Sequence, residues 1–154
     1  MNCFDEAMRV LTDQFGKDVA VSLATESEGR PSVRVVNAFF RDGAFYVMTC
    51  LSSGKMRELL KNPNAAVCRG LFSARGTGTN LGGPLLFGNA DLASELRKVF
   101  RAFYDRHVDE ADPDTCILRI ELTDCVAFTG SAKYIVDFKA KTSEKRPFVN
   151  DIIE

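Results

Sequence analysis

The sequence is poor in the groups that most enzymes use to move protons and acyl groups. It holds one histidine, His107, so Cys–His and Ser–His catalysis have little to draw on. Five cysteines are scattered at Cys3, Cys50, Cys68, Cys116 and Cys125 with no C-x-x-C pair, which removes the short zinc and redox motifs. No compact cluster of metal ligands is visible, so no metal is expected. No apolar run approaches the ~20 residues of a membrane span. No basic block stands out, and 20 Lys and Arg against 21 Asp and Glu leave a net charge of −1. That balance lacks the electrostatic footprint of a nucleic-acid binder. The first residues, Met1-Asn2-Cys3-Phe4-Asp5-Glu6, carry neither the basic nor the apolar region of a signal peptide, which predicts a cytoplasmic protein. Repeats and low-complexity stretches are absent as well.

What is present is an ordinary globular composition. The 154 residues are 45% hydrophobic and 27% charged, enough for one domain, residues 1–154, with a core that needs no staples. Cys50, Cys68 and Cys116 lie in apolar, strand-like runs and are expected to be buried reduced thiols, since free cysteine behaves as a small hydrophobe. His107 closes a charged helix, where solvent exposure or a C-terminal helix charge accounts for it.

Periodicity supplies the elements. Phe4, Ala7, Met8, Leu11 and Phe15 share a helical face, and Gly16 ends that helix. Residues 18–25 alternate as a strand, Glu28-Gly29-Arg30-Pro31 is a turn, and 32–41 is a second strand. Asp42-Gly43 is a strong hairpin signal, and 44–50 is a third strand. A helix over 55–62 turns Met56, Leu59 and Leu60 inward and stops at Pro63. Strands are expected at 64–73 and 85–92, then one amphipathic helix from about 93 to 107 with Leu92, Leu96, Val99, Phe100 and Phe103 as its apolar stripe. An acidic loop covers 109–114, a long strand runs over 115–129, and the basic tail from about 139 reads as loosely ordered. Short links between strands imply antiparallel pairing. The pattern is a β-rich α+β domain, with a small barrel favoured over an open layer.

The segment Met48-Thr49-Cys50-Leu51-Ser52-Ser53-Gly54-Lys55 joins the third strand to the second helix. It places the hydroxyls of Thr49 and Ser53 and the ammonium of Lys55 at or beside a helix N-terminus. The first amides of a helix have no intrahelical acceptor and carry the positive end of its dipole, which makes this a seat for a phosphate. Ser53 also reads simply as a cap, but a lysine in a first turn works against the dipole unless an anion joins it. Arg34 strengthens the case. It shares a strand face with Val36, Ala38 and Phe40, and a charge on an apolar face requires a partner.

Two other motifs fail on context. Ala74-Arg75-Gly76-Thr77-Gly78-Thr79-Asn80-Leu81-Gly82-Gly83 is glycine-rich, but no helix follows at once and no Gly-Lys-Ser/Thr ends it, so neither a dinucleotide fold nor a P-loop is supported. It reads as a flexible hairpin loop, or as one whose backbone comes close to a ligand. Ser52-Ser53-Gly54-Lys55 matches S-x-x-K, and Lys141-Thr142-Ser143 faintly echoes K-T-G, yet the S-D-N element is missing and the chain is small for a serine acyl-enzyme.

Taken together, Gly29-Arg30-Pro31-Ser32-Val33-Arg34-Val35-Val36, Asp42-Gly43-Ala44-Phe45-Tyr46-Val47-Met48-Thr49, Ser53-Gly54-Lys55-Met56-Arg57-Glu58-Leu59 and Lys61-Asn62-Pro63-Asn64-Ala65-Ala66-Val67 resemble the pyridoxamine 5′-phosphate oxidase-like family of flavin-binding split barrels. The match spans about 19–67, with weaker agreement to about 138. The resemblance implies a six-stranded antiparallel split β-barrel with flanking helices, a homodimer, and FMN in a cleft at the dimer interface. It implies that Arg34 and Lys55 hold the FMN phosphate with a hydroxyl from Ser53. Val35, Val36 and Asn37 would line the isoalloxazine ring, Met48 and Thr49 would cover the ring or ribityl chain, and Asn80, Leu81 and Gly82 could approach a flavin. Asn37 departs from the oxidase pattern.

The chain ends Lys145-Arg146-Pro147-Phe148-Val149-Asn150-Asp151-Ile152-Ile153-Glu154, without the Arg-Leu segment that helps true pyridoxamine-phosphate oxidases hold substrate. The likeness is therefore to small general-stress or FMN-binding members. The expected activity is flavin-dependent oxidoreduction with a small-molecule electron donor, with the cofactor carrying the chemistry and no catalytic residue assigned. A non-catalytic flavin-binding or flavin-sensing protein remains open, as does a split barrel that uses a deazaflavin. Haem is disfavoured by the position of the single His107. One compact phosphate seat favours FMN over FAD.

Overall fold

The computed structural model describes residues 1–149. Its elements in chain order are α1 Phe4–Phe15, β1 Val19–Ser27, β2 Arg30–Arg41, β3 Ala44–Cys50, α2 Gly54–Lys61, β4 Asn64–Arg69, β5 Phe72–Asn80, α3 Ala90–Val99, α4 Tyr104–His107, β6 Thr115–Phe128, β7 Ala132–Asp137 and β8 Thr142–Pro147. All strand pairs are antiparallel, in the order β3-β2-β1-β4-β5-β6-β7-β8. An additional pairing, Ala44↔Glu121 through Cys50↔Thr115, joins β3 to β6. This closes six strands into a barrel and leaves β7 and β8 as a two-strand extension. Closure satisfies the edge that β3 would otherwise expose. The expected six-stranded barrel with flanking helices is present.

Local sequence explains the hairpins. Asp42 and Gly43 both take positive φ, 49° and 82°, the geometry that a tight turn of matching twist demands. β2 then alternates, with Val36, Ala38 and Phe40 inward and Val33 and Val35 outward, each 70% exposed. The barrel core gathers Val21, Leu23, Phe40, Phe45, Val67, Leu118 and Ile120. α1 adds Ala7, Leu11 and Phe15, the last of these against Phe45 and Phe72 at 5.6 and 4.5 Å between centroids. α2 adds Met56 and Leu59, so its position is set by burial in the same core. Each such apolar side chain contributes about 1.5–3 kcal/mol. A second cluster, with Phe39, Tyr46 and Ile117, lies on the outer barrel face under Leu92, Leu96, Phe100 and Tyr104.

Several expectations are corrected. Residues 85–92 form no strand; they carry a short 3-10 turn, Phe87–Asn89, and the start of α3. The fifth strand is instead the glycine-rich run read as a flexible loop. Gly76 sits at a β-bulge, where a Cβ would lie 2.4 Å from the Glu121 carbonyl oxygen, so the strand needs glycine for close backbone approach. The strand expected over 64–73 breaks at Gly70 into β4 and β5. The single helix expected over 93–107 is interrupted between Val99 and Tyr104. The basic tail holds β8, paired with β7 and tied to the N-terminus by Cys3 N to Ser143 O at 3.0 Å and Ser143 N to Asn2 Oδ1 at 3.0 Å; residues 150–154 lie outside the described region. Of the thiols expected to be buried, Cys116 is, whereas Cys50 and Cys68 are exposed, one ending β3 and the other on the outer face of β4. Among the described residues, no helix is long and apolar enough to cross a membrane and no group of side chains is placed to hold a metal ion.

Candidate phosphate seat at the N-terminus of the second helix

The turn between β3 and α2 brings Thr49, Ser53 and Lys55 together. Ser53 is the N-cap, its hydroxyl accepting from Met56 N at 3.4 Å and lying 3.5 Å from Thr49 Oγ1. Ser53 N donates to Cys50 O at 3.0 Å. Among the described residues, the amides of Gly54 and Lys55 have no acceptor. These are the free donors of a helix start. The first turn of α2 contains no acidic side chain.

Lys55 is half-buried and has no carboxylate partner among the described residues. Burial, and then the charge of Arg34, push its pKa below the usual 10.5. Two cations share a region in which one of them is uncompensated. That arrangement is unfavourable alone and becomes favourable when an anion arrives.

Arg34 has the partner that its apolar strand face required. Its Nη1 donates to Thr25 Oγ1 at 2.6 Å and to Leu23 O at 3.3 Å, and its Nη2 lies 3.9 Å from Glu58 Oε2. Thr25, 3% exposed, donates in turn to Glu58 Oε2 at 2.6 Å, and Ser32 donates to Glu58 Oε1 at 3.2 Å. The Thr25 hydroxyl, with Ser32 and the Arg34 charge behind it, holds the Glu58 carboxyl below its ordinary 4.5. Glu58 stands three residues beyond Lys55 on α2, so one short helix supplies a free ammonium and a counter-ion for Arg34. Neither Thr25 nor Glu58 was expected from sequence. The available signal was a polar Thr25 on the inward face of β1, paired with Ser32 and so diagonal to the cation two residues further along the neighbouring strand.

The remaining expected residues divide. Val36 is buried in the barrel core, so only its backbone can meet a ligand. Val35 and Asn37 are exposed on the opposite face of β2 from Arg34, and Asn37 Nδ2 donates to Asp18 Oδ1 at 2.9 Å. Met48 packs against the outer cluster under α3 and is not brought to the seat. Asn80 caps its own turn through Gly82 N at 2.8 Å, and Leu81 packs on the outer cluster. A cleft of about 790 Å3 reaches Thr25 and Pro31 but neither Ser53 nor Lys55. His107 is exposed at the end of α4.

No protein-family model matches the chain, and no curated protein matches it in sequence. Solved structures do. General Stress Protein 26 from Bacillus anthracis superposes with a TM-score of 0.60 at 19% identity, over 78% of this chain and 92% of that one. An FAD-binding protein from Mesorhizobium loti gives 0.61 at 19%, over 78% and 89%. An F420 reductase gives 0.56 at 17%, over 74% and 94%. The chain has a split-barrel fold of the pyridoxamine 5′-phosphate oxidase-like type. At such identities the likeness establishes the split barrel alone; function rests on the seat.

Proposed function

We propose that this split barrel binds FMN and acts as a flavin-dependent oxidoreductase. The observation that carries the reading is Lys55: half-buried, next to Arg34, and, among the described residues, without a carboxylate partner and in the first turn of a helix whose Gly54 and Lys55 amides are free. A phosphate dianion answers all of these at once, through the charge-assisted hydrogen bonds that are strongest in such sites. Lys55 and the two amides would hold it, Ser53 would add its hydroxyl, and Arg34 would reach it from β2. Bound flavin would supply N5 as the atom that accepts and returns a hydride. The chain's own contribution is to bind, orient and tune, which suits a site with no nucleophile–base pair.

The site would be completed by a second copy. Val33 and Val35 leave an apolar strip on β2, each 70% exposed, as a surface for a homodimer. Similarity to an FAD-binding protein and to an F420 reductase supports a flavin-type cofactor and keeps a deazaflavin as the second reading. The proposed location is the cytoplasm.

The test is a visible absorption spectrum of natively purified protein, with release and mass identification of the bound molecule. FMN in the released fraction supports the reading. A deazaflavin transfers it to the second reading. Protein that is colourless and binds no added FMN, FAD or deazaflavin overturns it. Anaerobic reduction of the bound flavin by a nicotinamide cofactor then separates an enzyme from a binding protein.

A further inference from the structure

The acidic loop at 109–114 has no place in the seat itself, yet it ends on the turn that builds the seat. Asp114 Oδ1 accepts from Ser52 N at 2.9 Å and Oδ2 from Ser52 Oγ at 2.6 Å. The backbone carbonyl of Asp114 accepts from Leu51 N at 2.7 Å. One residue therefore takes both amides that precede Ser53, and Ser53 N goes to Cys50 O. Among the described residues, the amides that remain free are those of Gly54 and Lys55, at the start of α2.

The loop is itself held firmly. Asp114 N donates to Asp112 Oδ1 at 2.9 Å, and Thr115 Oγ1 donates to Asp109 O at 2.6 Å. Glu110 accepts from Tyr104 Oη at 2.9 Å and pairs with Arg97 at 2.5 Å. The clamp thus runs from α3 and α4 through the loop to the β3–α2 turn.

We propose that Asp114 is a positioning residue for the phosphate seat, gripping Ser52 so that the Gly54 and Lys55 amides and the Lys55 ammonium converge on one anion. This rests on the flavin reading above. A carboxylate held on two donors of one residue fixes that residue's orientation far better than a single contact. Convergent donors lose their hold on a ligand when the turn beneath them is free to rotate. The role concerns the phosphate and not the ring, and the test exploits that difference.

FMN and riboflavin, which lacks the phosphate, are titrated against wild type, Asp114→Ala, Asp114→Asn and Ser52→Ala, with thermal melts recorded for each. Asp114→Ala weakens FMN about tenfold, the scale of a lost charged hydrogen bond, while riboflavin affinity stays within about twofold. Asp114→Asn keeps the side chain's shape and one acceptor, and recovers most of the FMN affinity. Ser52→Ala leaves the charge in place, loses one of the two side-chain bonds, and falls between them. Equal losses for FMN and riboflavin would make Asp114 a general structural residue and overturn the proposal, as would unchanged FMN binding in Asp114→Ala. Should Asp114→Ala fail to fold, the FMN-to-riboflavin ratio in Ser52→Ala decides. Wild type that binds neither ligand would instead sink the flavin reading, and this proposal with it.

Discussion

Arg34 and Glu58 meet across a buried threonine. Arg34 donates to Thr25 Oγ1, Thr25 donates to Glu58, and the guanidinium and carboxylate stand 3.9 Å apart. The strand cation is thus already engaged in the chain alone, whereas Lys55 has no carboxylate partner among the described residues. The two proposed phosphate ligands are therefore unequal. Lys55 offers a whole uncompensated charge, while Arg34 offers what remains after Glu58.

Charge removal should rank accordingly. Lys55→Ala is expected to cost more FMN affinity than Arg34→Ala, each within about 10- to 100-fold, as for hydrogen bonds to charged groups. The double variant should retain no flavin through purification. Fluorescence titration with FMN checks this, and unchanged affinity in the double variant would remove the site. FMN affinity should also fall at alkaline pH, because Lys55 loses its proton below its ordinary 10.5.

Glu58→Gln should act in the opposite direction. Glutamine keeps an acceptor for Thr25 and removes the charge that competes for Arg34, so FMN should bind a few-fold tighter. Weaker binding in this variant would mean that Glu58 chiefly orients Arg34. The same carboxyl carries a pH signature. Its folded pKa is depressed, as are those of Glu6 through Lys145 and Glu110 through Arg97. A depressed carboxyl stabilises the fold fully above its unfolded pKa, and that contribution is lost as pH falls through the folded value. Stability should therefore decline on acidification below about 4.5, the ordinary value of these groups. Chemical denaturation across that range should show a shallower decline for Glu58→Gln.

Gly78 links the barrel to the seat. A Cβ there would meet the Leu59 methyls at 3.0 and 3.1 Å, and Leu59, with Met56, seats α2 in the core. Gly78→Ala should cost about 1–3 kcal/mol, the usual scale of overpacking, and weaken FMN by displacing α2. Gly76→Ala would press on the Glu121 carbonyl, which cannot rotate aside, so its cost should be greater. Thermal melts of the two variants check the order.

These glycines also show where sequence ceased to be legible. The first three strands, α1, α2 and the long β6 follow from plain period-2 and period-3.6 alternation, and Thr49, Ser53 and Lys55 follow from the strand-to-helix junction. β5 was hidden because its glycines answer to tertiary neighbours, the Glu121 carbonyl and Leu59, that no local pattern reveals. The break after α3 was hidden for the converse reason. Leu96, Phe100 and Tyr104 are all buried at i+4 spacing, so the helical period persists through residues that leave the helix. Thr25 reaches Arg34 through the β1–β2 hairpin, but Glu58 lies 24 residues from Arg34 and Asp114 reaches Ser52 across 62 residues, beside the β3–β6 pairing that closes the barrel.

The homodimer remains to be tested through β2. Val33 and Val35 face outward with 70% exposure each, beside a strand whose inward side chains form the core. Exposed β-branched pairs of this kind are costly in water and contribute at an interface. Val33→Asp should therefore leave the barrel folded, since the side chain faces outward and is 70% exposed, while a charge placed at the centre of a buried contact would disfavour association. Sedimentation of wild type at twice the 17.0 kDa chain mass, and of the variant as monomer, is the expected pair of results. If the seat is completed across the dimer, the variant should lose FMN as it loses its partner, although Arg34, Ser53 and Lys55 are untouched. A monomeric variant that binds FMN as wild type does would place the whole site within one chain.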